Sequence, residues 1–157
     1  MNTLVIYESQ YGNTQKVAEL IGKELEAHGL VRVTSFVNYQ PALSIDIDLL
    51  VIGAPTQAHG MTPAMKDFVQ KFEAEPAGLP VAIFDTRVKG PVLLWGSAAR
   101  GMVSSLGQKG FNLIGEPESF IVSFARPPQL EHGEEEHAKA WAGKIAGLVA
   151  ARQLVTA

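Results

Sequence analysis

The chain has 157 residues, 46% of them hydrophobic and 18% charged, with no cysteine and a formal net charge of −3. At roughly 100–200 residues per domain, this length suits a single domain, residues 1–157, that needs no disulfide staple. Without cysteine there is no iron–sulfur cluster, thiolate zinc site or thiol nucleophile, so any redox role must rest on a bound cofactor.

The apolar segments alternate between two periods. Leu4-Val5-Ile6-Tyr7 is a short continuous apolar run, the pattern of a parallel strand covered on both faces. A helical stripe follows, with Val17, Leu20, Ile21 and Leu25 on one face from about Asn13 to His28, stopped by Gly29. Val31 to Val37 reads as a weaker strand, and Leu49-Leu50-Val51-Ile52 as a strong one. Met61, Met65, Phe68 and Phe72 form a second helical stripe, with Pro63 near the first turn, where a missing N–H costs little. Val81-Ala82-Ile83-Phe84 is the next buried strand, and a third helix begins near Ser97 and carries Met102, Val103 and Leu106. Phe111–Ile114 and Phe120–Phe124, split by Gly115-Glu116-Pro117-Glu118, read as one interrupted strand. Ala138, Trp141, Ile145, Leu148 and Val149 mark a last helix. Strands alternating with helices predict a doubly wound α/β sheet of about five parallel strands, with helices on both faces.

Ligands of such sheets bind beyond the carboxyl ends of the strands, so three loops matter. The first, Glu8-Ser9-Gln10-Tyr11-Gly12-Asn13-Thr14, runs directly into a helix. Its hydroxyls and amides, with the orphan N–H groups of the helix end, suit an anion held by neutral donors. Asn13 is also able to cap the helix, but a plain capped turn needs only one Ser or Asn, and here the whole loop is polar. Other phosphate and nucleophile motifs are missing: there is no G-x-x-x-x-G-K-[ST], no G-x-G-x-x-G and no G-x-S-x-G.

The run Val5-Ile6-Tyr7-Glu8-Ser9-Gln10-Tyr11-Gly12-Asn13-Thr14, with Ala18 beyond it, resembles the flavodoxin signature for the phosphate of FMN. Glu19 departs from it, standing where the family has an apolar residue. The resemblance implies a three-layer αβα sandwich on a five-stranded parallel sheet in the order 2-1-3-4-5. It implies FMN as cofactor, with Ser9, Gln10, Tyr11, Gly12, Asn13 and Thr14 at the phosphate. The second loop, with Pro55, Thr56, Gln57, Ala58, His59 and Gly60, resembles the one that holds a side of the flavin ring. There a carbonyl near His59–Gly60 accepts a bond from the reduced flavin. His59 is either a solvated loop histidine or a flavin contact. The family's stacking aromatic is absent from this loop.

The third loop is predicted to begin at Asp85-Thr86-Arg87, which are taken as cofactor-binding, with a cation where the family carries acidic residues. Arg87 either lies by the flavin, favouring its anionic reduced form, or pairs with Asp85 at the surface. Trp95 is assigned to the core in preference to a ring-stacking role. The glutamates of residues 131–137 suit the first turn of the last helix, the alternative being a docking patch for a basic partner. The function implied is an FMN-binding electron carrier that serves a redox protein or a small-molecule acceptor. The alternatives are an FMN-dependent NAD(P)H:quinone-type oxidoreductase and a flavin-free domain of the same fold. A nucleic-acid partner is not expected of a mildly acidic chain. No apolar run reaches the ~20 residues of a bilayer span, and Met1-Asn2-Thr3 lacks a basic leader, so the expected location is the cytoplasm.

Overall fold

A computed structural model describes residues 1–73 and 78–156. In chain order it contains β1 (Asn2–Tyr7), α1 (Asn13–Leu25), β2 (Leu30–Ser35), β3 (Leu49–Pro55), α2 (Pro63–Lys71) and β4 (Pro80–Val88). These are followed by α3 (Val92–Trp95), α4 (Ala98–Gln108), β5 (Asn112–Leu113), β6 (Glu118–Val122) and α5 (Glu134–Thr156). All strand pairings are parallel, in the order β2-β1-β3-β4-β5. β6 also pairs with β4, so β5 and β6 together fill the fifth position. The interrupted strand expected there is found as such.

The period of two along each central strand divides the core between the sheet's faces. Val5, Leu49, Val51, Ala82 and Phe84 pack with Val17 and Ile21 of α1 and with Trp141 and Ile145 of α5. Leu4, Ile6, Leu50, Ile52, Val81 and Ile83 pack with Met65 and Val69 of α2 and with Met102 and Leu106 of α4. These two apolar faces and their helices make the three layers. The methionine and aromatic stripes of the sequence are core, as helical spacing implies.

Two strand boundaries differ from expectation. β2 ends at Ser35, and Phe36–Asn38 turns into a short 3₁₀ segment. Phe36 meets Phe68 edge-on at 5.7 Å, and Phe68 in turn packs on Tyr39 and Phe72. Burial in that aromatic cluster takes Phe36 off the sheet. β4 runs on through Asp85-Thr86-Arg87 to Val88, because Pro55 pairs with Thr86 on one side and β6 spans Phe84 to Val88 on the other. The third loop therefore starts after Val88, and Asp85, Thr86 and Arg87 are strand residues.

Gly53, near the carboxyl end of β3, has a packing reason. A Cβ there would sit 2.0 Å from the Phe84 ring, which is itself edge-on to Phe120 and Trp141. Gly53→Ala should lower stability by about 1–3 kcal/mol, the usual cost of overpacking, read from urea denaturation.

Candidate functional site

At the carboxyl ends of β1, β3 and β4 the loops enclose a cavity of about 340 Å³. Its wall brings together Ser9, Gln10, Tyr11, Asn13 and Thr14 of the first loop with Pro55, Thr56, Gln57, Ala58 and His59 of the second. Thr86 and Arg87 complete it from β4. Gly12, Gly60 and Asp85 are not in the lining. Four lining residues lie outside the set expected from sequence: Val88, Trp95, Val122 and Pro128.

The first loop leaves the helix end open. Gly12 takes φ +88°, a left-handed conformation that glycine adopts freely, and α1 has no side-chain cap. Asn13 does not cap it, because its side chain is used elsewhere. Nδ2 donates to the Pro128 carbonyl at 2.9 Å, and Oδ1 accepts from the Leu130 N–H at 3.1 Å. Ser9 Oγ accepts from the Gly12 N–H at 3.1 Å. The first N–H groups of a helix have no acceptor within it, so these donors stay available on the cavity side. Lys16 offers no charge here, since it forms an ion pair with Glu135 of α5. Thr14 and Thr86, both buried, share a hydroxyl–hydroxyl bond of 2.7 Å, which ties α1 to β4. One of those hydroxyls donates to the other, so one proton remains for a ligand.

The second loop is a tight turn. Gln57 and Gly60 exchange both backbone hydrogen bonds at 2.9 Å. Between them Ala58 and His59 have φ +43° and +71°, the pattern of a type I′ turn made without glycine or asparagine. Such conformations cost an alanine or histidine roughly 1–3 kcal/mol each and cluster at ligand sites. The Gly60 carbonyl is thus occupied within the turn. The His59 carbonyl lies against Gly96, where a Cβ would come within 2.0 Å of it. The His59 side chain is exposed at the cavity rim, and Gln57 Nε2 donates to Gln10 Oε1, linking the first two loops.

Asp85 is fully buried and acts below the cavity, not in it. Its Oδ2 accepts from Thr56 Oγ1 at 3.0 Å, Ser97 Oγ at 2.6 Å and the Ala99 N–H at 3.1 Å. Thr56 Oγ1 also accepts from the Ala98 N–H at 2.9 Å, and Ser97 Oγ from the Arg100 N–H at 3.3 Å. The start of α4 is therefore capped by this network. Arg87 is not the partner of Asp85. Its Nε donates to Ser119 Oγ at 3.0 Å, and Nη1 donates to the carbonyls of Gly90 at 2.9 Å and Val88 at 3.3 Å. The pairing of Arg87 with Asp85 is thus overturned, because α4 takes up the carboxylate and the turn takes up the guanidinium.

Trp95 is likewise not a core residue. It is 42% exposed, forms part of the cavity wall and meets Phe124 edge-on at 5.6 Å. Gly90 leaves room for it, since a Cβ there would lie 2.5 Å from the indole. The sequence signal was present in the apolar run Val92-Leu93-Leu94-Trp95, which is too short for a core helix. Two of the three glutamates that open α5 hold other parts of the fold. Glu134 accepts from the Ile121 N–H at 3.1 Å and meets His137 Nδ1 at 3.0 Å, while Glu135 holds Lys16.

Glu8 follows β1 and accepts from Thr62 Oγ1 at 2.7 Å, while that hydroxyl caps α2 through the Met65 N–H. Its other oxygen is buried without a partner. Burial raises its pKa above the ordinary carboxylate value, and the Thr62 bond only partly offsets this. The folded state holds this proton more tightly than the unfolded chain, so Glu8 costs stability as pH rises through its titration range. Glu8→Gln should raise the thermal midpoint at pH 7, and the gain should vanish at about pH 3, where both states are protonated. Asp85→Ala leaves the donors of Thr56, Ser97 and Ala99 without their acceptor. It should cost about 3 kcal/mol or more in urea denaturation, with Asp85→Asn costing less because an acceptor oxygen remains.

Residues 4–91, more than half of the chain, match the family model described as a flavodoxin domain. Among solved structures, the chain is similar to a flavodoxin from the domain Archaea, with a TM-score of 0.76 and 19% identity. That match covers 96% of this chain and 99% of the other. Oxidised flavodoxin 1 from Bacillus cereus gives 0.74 at 17% identity, covering 94% and 98%. Rubredoxin oxygen:oxidoreductase from Desulfovibrio gigas gives 0.74 at 18% identity, and here the match covers 97% of this chain but only 37% of the larger protein. At these identities the structural likeness speaks to the fold alone, while the family model spans both loops of polar donors and the whole of β4. The chain belongs to the flavodoxin domain family.

Proposed function

We propose that the chain binds FMN in this cavity and passes electrons between it and a redox protein or a small-molecule acceptor. The observation that carries this reading is the uncapped first turn of α1. Its N–H groups face the cavity beside the Thr14–Thr86 hydroxyl pair, with Lys16 withdrawn to Glu135. A phosphate monoester suits such a site, since helix-end donors and hydroxyls bind an anion without a lysine. The donor set therefore fits FMN. The aromatic and turn residues Tyr11, His59 and Trp95 offer a wall for a planar ring, with the strained Ala58–His59 turn at its edge. FMN, when bound, supplies one- and two-electron chemistry that no side chain here can perform. The protein's part is to hold the phosphate, orient the ring and set the charge around it. Arg87 lines the cavity, while its guanidinium is engaged by Ser119 and by the carbonyls of Val88 and Gly90. The two cores share one sheet, which supports reading residues 1–157 as one domain.

A second reading, hydride transfer from a nicotinamide nucleotide to a quinone-type acceptor, is favoured by one feature. Arg87 also borders a neighbouring groove of about 510 Å³ that Arg100 lines, so two arginines share that groove next to the cavity. Titration of the protein with FMN should quench flavin fluorescence and sharpen the flavin absorbance band. Gly12→Val forces a β-branched residue to φ +88°. It should weaken FMN at least tenfold, since about 1.4 kcal/mol of strain already accounts for that factor. An unchanged flavin spectrum with the native protein, or unchanged affinity in the variant, overturns the phosphate assignment. Bleaching of the bound flavin by NADPH alone selects the enzyme reading over the carrier.

A further inference from the structure

Beside the cavity wall at Trp95, a group of apolar side chains is left in water. On the outer side of α3, Leu93 is 95% exposed and Leu94 64%, and Phe124, packed against Trp95, is 66% exposed. Leu93, Leu94 and Phe124 lie outside the cavity lining, while Trp95 belongs to both surfaces. A contiguous group of this kind at a functional rim marks an interaction surface.

The charge pattern identifies the partner. Between Thr86 and Leu130 the chain carries five Lys and Arg against two Glu, whereas the rest carries eight against fourteen Asp and Glu. No acidic residue occurs from Thr86 to Gly115. Lys89 leads into α3, Arg100 lines a groove together with Val92, and Arg126 lies two residues beyond Phe124. All three are exposed, and among the described residues none has an ion-pair partner. The two acids, Glu116 and Glu118, lie across that groove, and Glu118 faces His137 at 3.6 Å.

We infer that this rim seats on the surface of an anionic lipid bilayer, with Leu93, Leu94 and Phe124 entering the interfacial region and Lys89, Arg100 and Arg126 meeting the headgroups. Leucine and aromatic side chains flanked by cations are the make-up of a surface that lies on a membrane without crossing it. No helix among the described residues is long and apolar enough to cross one. The shape favours lipid over a protein partner. The leucines stand on the outside of a single short turn, and a bilayer receives such a projection without a matching pocket. The chain is acidic as a whole, so attraction to an anionic surface has to come from this face alone. Seated this way, the cavity mouth at Trp95 lies at the lipid–water boundary, within reach of an acceptor dissolved in the bilayer. That last step rests on the flavin reading; the seating itself does not.

Co-sedimentation of the full chain with vesicles tests it, using phosphatidylcholine alone against phosphatidylcholine with 30% phosphatidylglycerol, about the anionic content of a charged leaflet. The expected result is binding to the anionic vesicles at low salt, and at least tenfold weaker binding to neutral ones or at 0.5 M salt, which is about enough to screen exposed charges. Leu93→Ser with Leu94→Ser, and separately Lys89→Glu with Arg126→Glu, should each lower anionic-vesicle binding tenfold or more. Leu30→Ser, an exposed apolar residue on edge strand β2, should leave it unchanged. FMN titration of the same variants reads the cavity separately, so loss of vesicle binding with retained FMN binding separates the two readings. No binding to anionic vesicles, equal binding by the Leu93/Leu94 variant, or a stable complex of chains that hides this rim overturns the inference.

Discussion

One buried carboxylate holds the ligand end of this sheet together. Asp85 sits within β4 and accepts three hydrogen bonds on a single oxygen, from the loop after β3 and from the first turn of α4. A buried polar group is tolerated where hydrogen bonds replace water, and here all three fall on Oδ2 while Oδ1 is buried without a partner. Here the donors come from the segment after β3, which the Thr56 N–H also ties to the Thr86 carbonyl, and from the start of α4. Thr56 and Ser97 each act twice, donating to Asp85 and accepting from an α4 N–H, so the polar groups at that helix end are satisfied by one cluster. The position of the second loop, of α4 and of the turn between them follows from it.

Around this anchor the chain accepts local strain in exchange for shape. Ala58 and His59 adopt left-handed backbone where glycine would be easier, and Gly96 gives up its side chain so that the His59 carbonyl can approach. Gly90 gives up its own for Trp95. These adjustments all border the same cavity. Across it, Asn13 fastens the segment 128–130 to the start of α1 and leaves that helix end open toward the cavity. Strain and open donors at one place are what a ligand site requires, since binding can repay both. The same rim carries an uneven distribution of charge and apolar surface. Acidic residues dominate elsewhere in the chain, while the strands and turns near α3 are cationic and expose leucine and phenylalanine.

The central strands, the helical stripes and the first polar loop are all legible in the sequence, because each is a local pattern. A run such as Leu49 to Ile52 cannot be placed anywhere but between two covered faces. The interrupted fifth strand was also readable, since Gly115 and Pro117 punctuate it. Asp85, Thr86 and Arg87 read as a loop because they are polar, and only their pairing with Pro55 and with β6 makes them strand. Phe36 read as strand because it is apolar, and only an aromatic cluster with Phe68 draws it away.

The same division holds at the site. Local pattern is enough for the order of strands and helices, the face of each helix that is buried, and the neutral, donor-rich loop at the first helix end. Periodicity and the chemistry of neighbouring residues are enough for these. Tertiary structure decided the rest: that Asp85 serves α4 and not Arg87, that Asn13 fastens a distant segment instead of capping its own helix, and that Trp95 stands in the cavity wall. Each of these depends on a partner some distance away in sequence. Which donor reaches a carboxylate, or which ring finds a neighbour, is settled by packing between elements, and a local pattern holds no information about it.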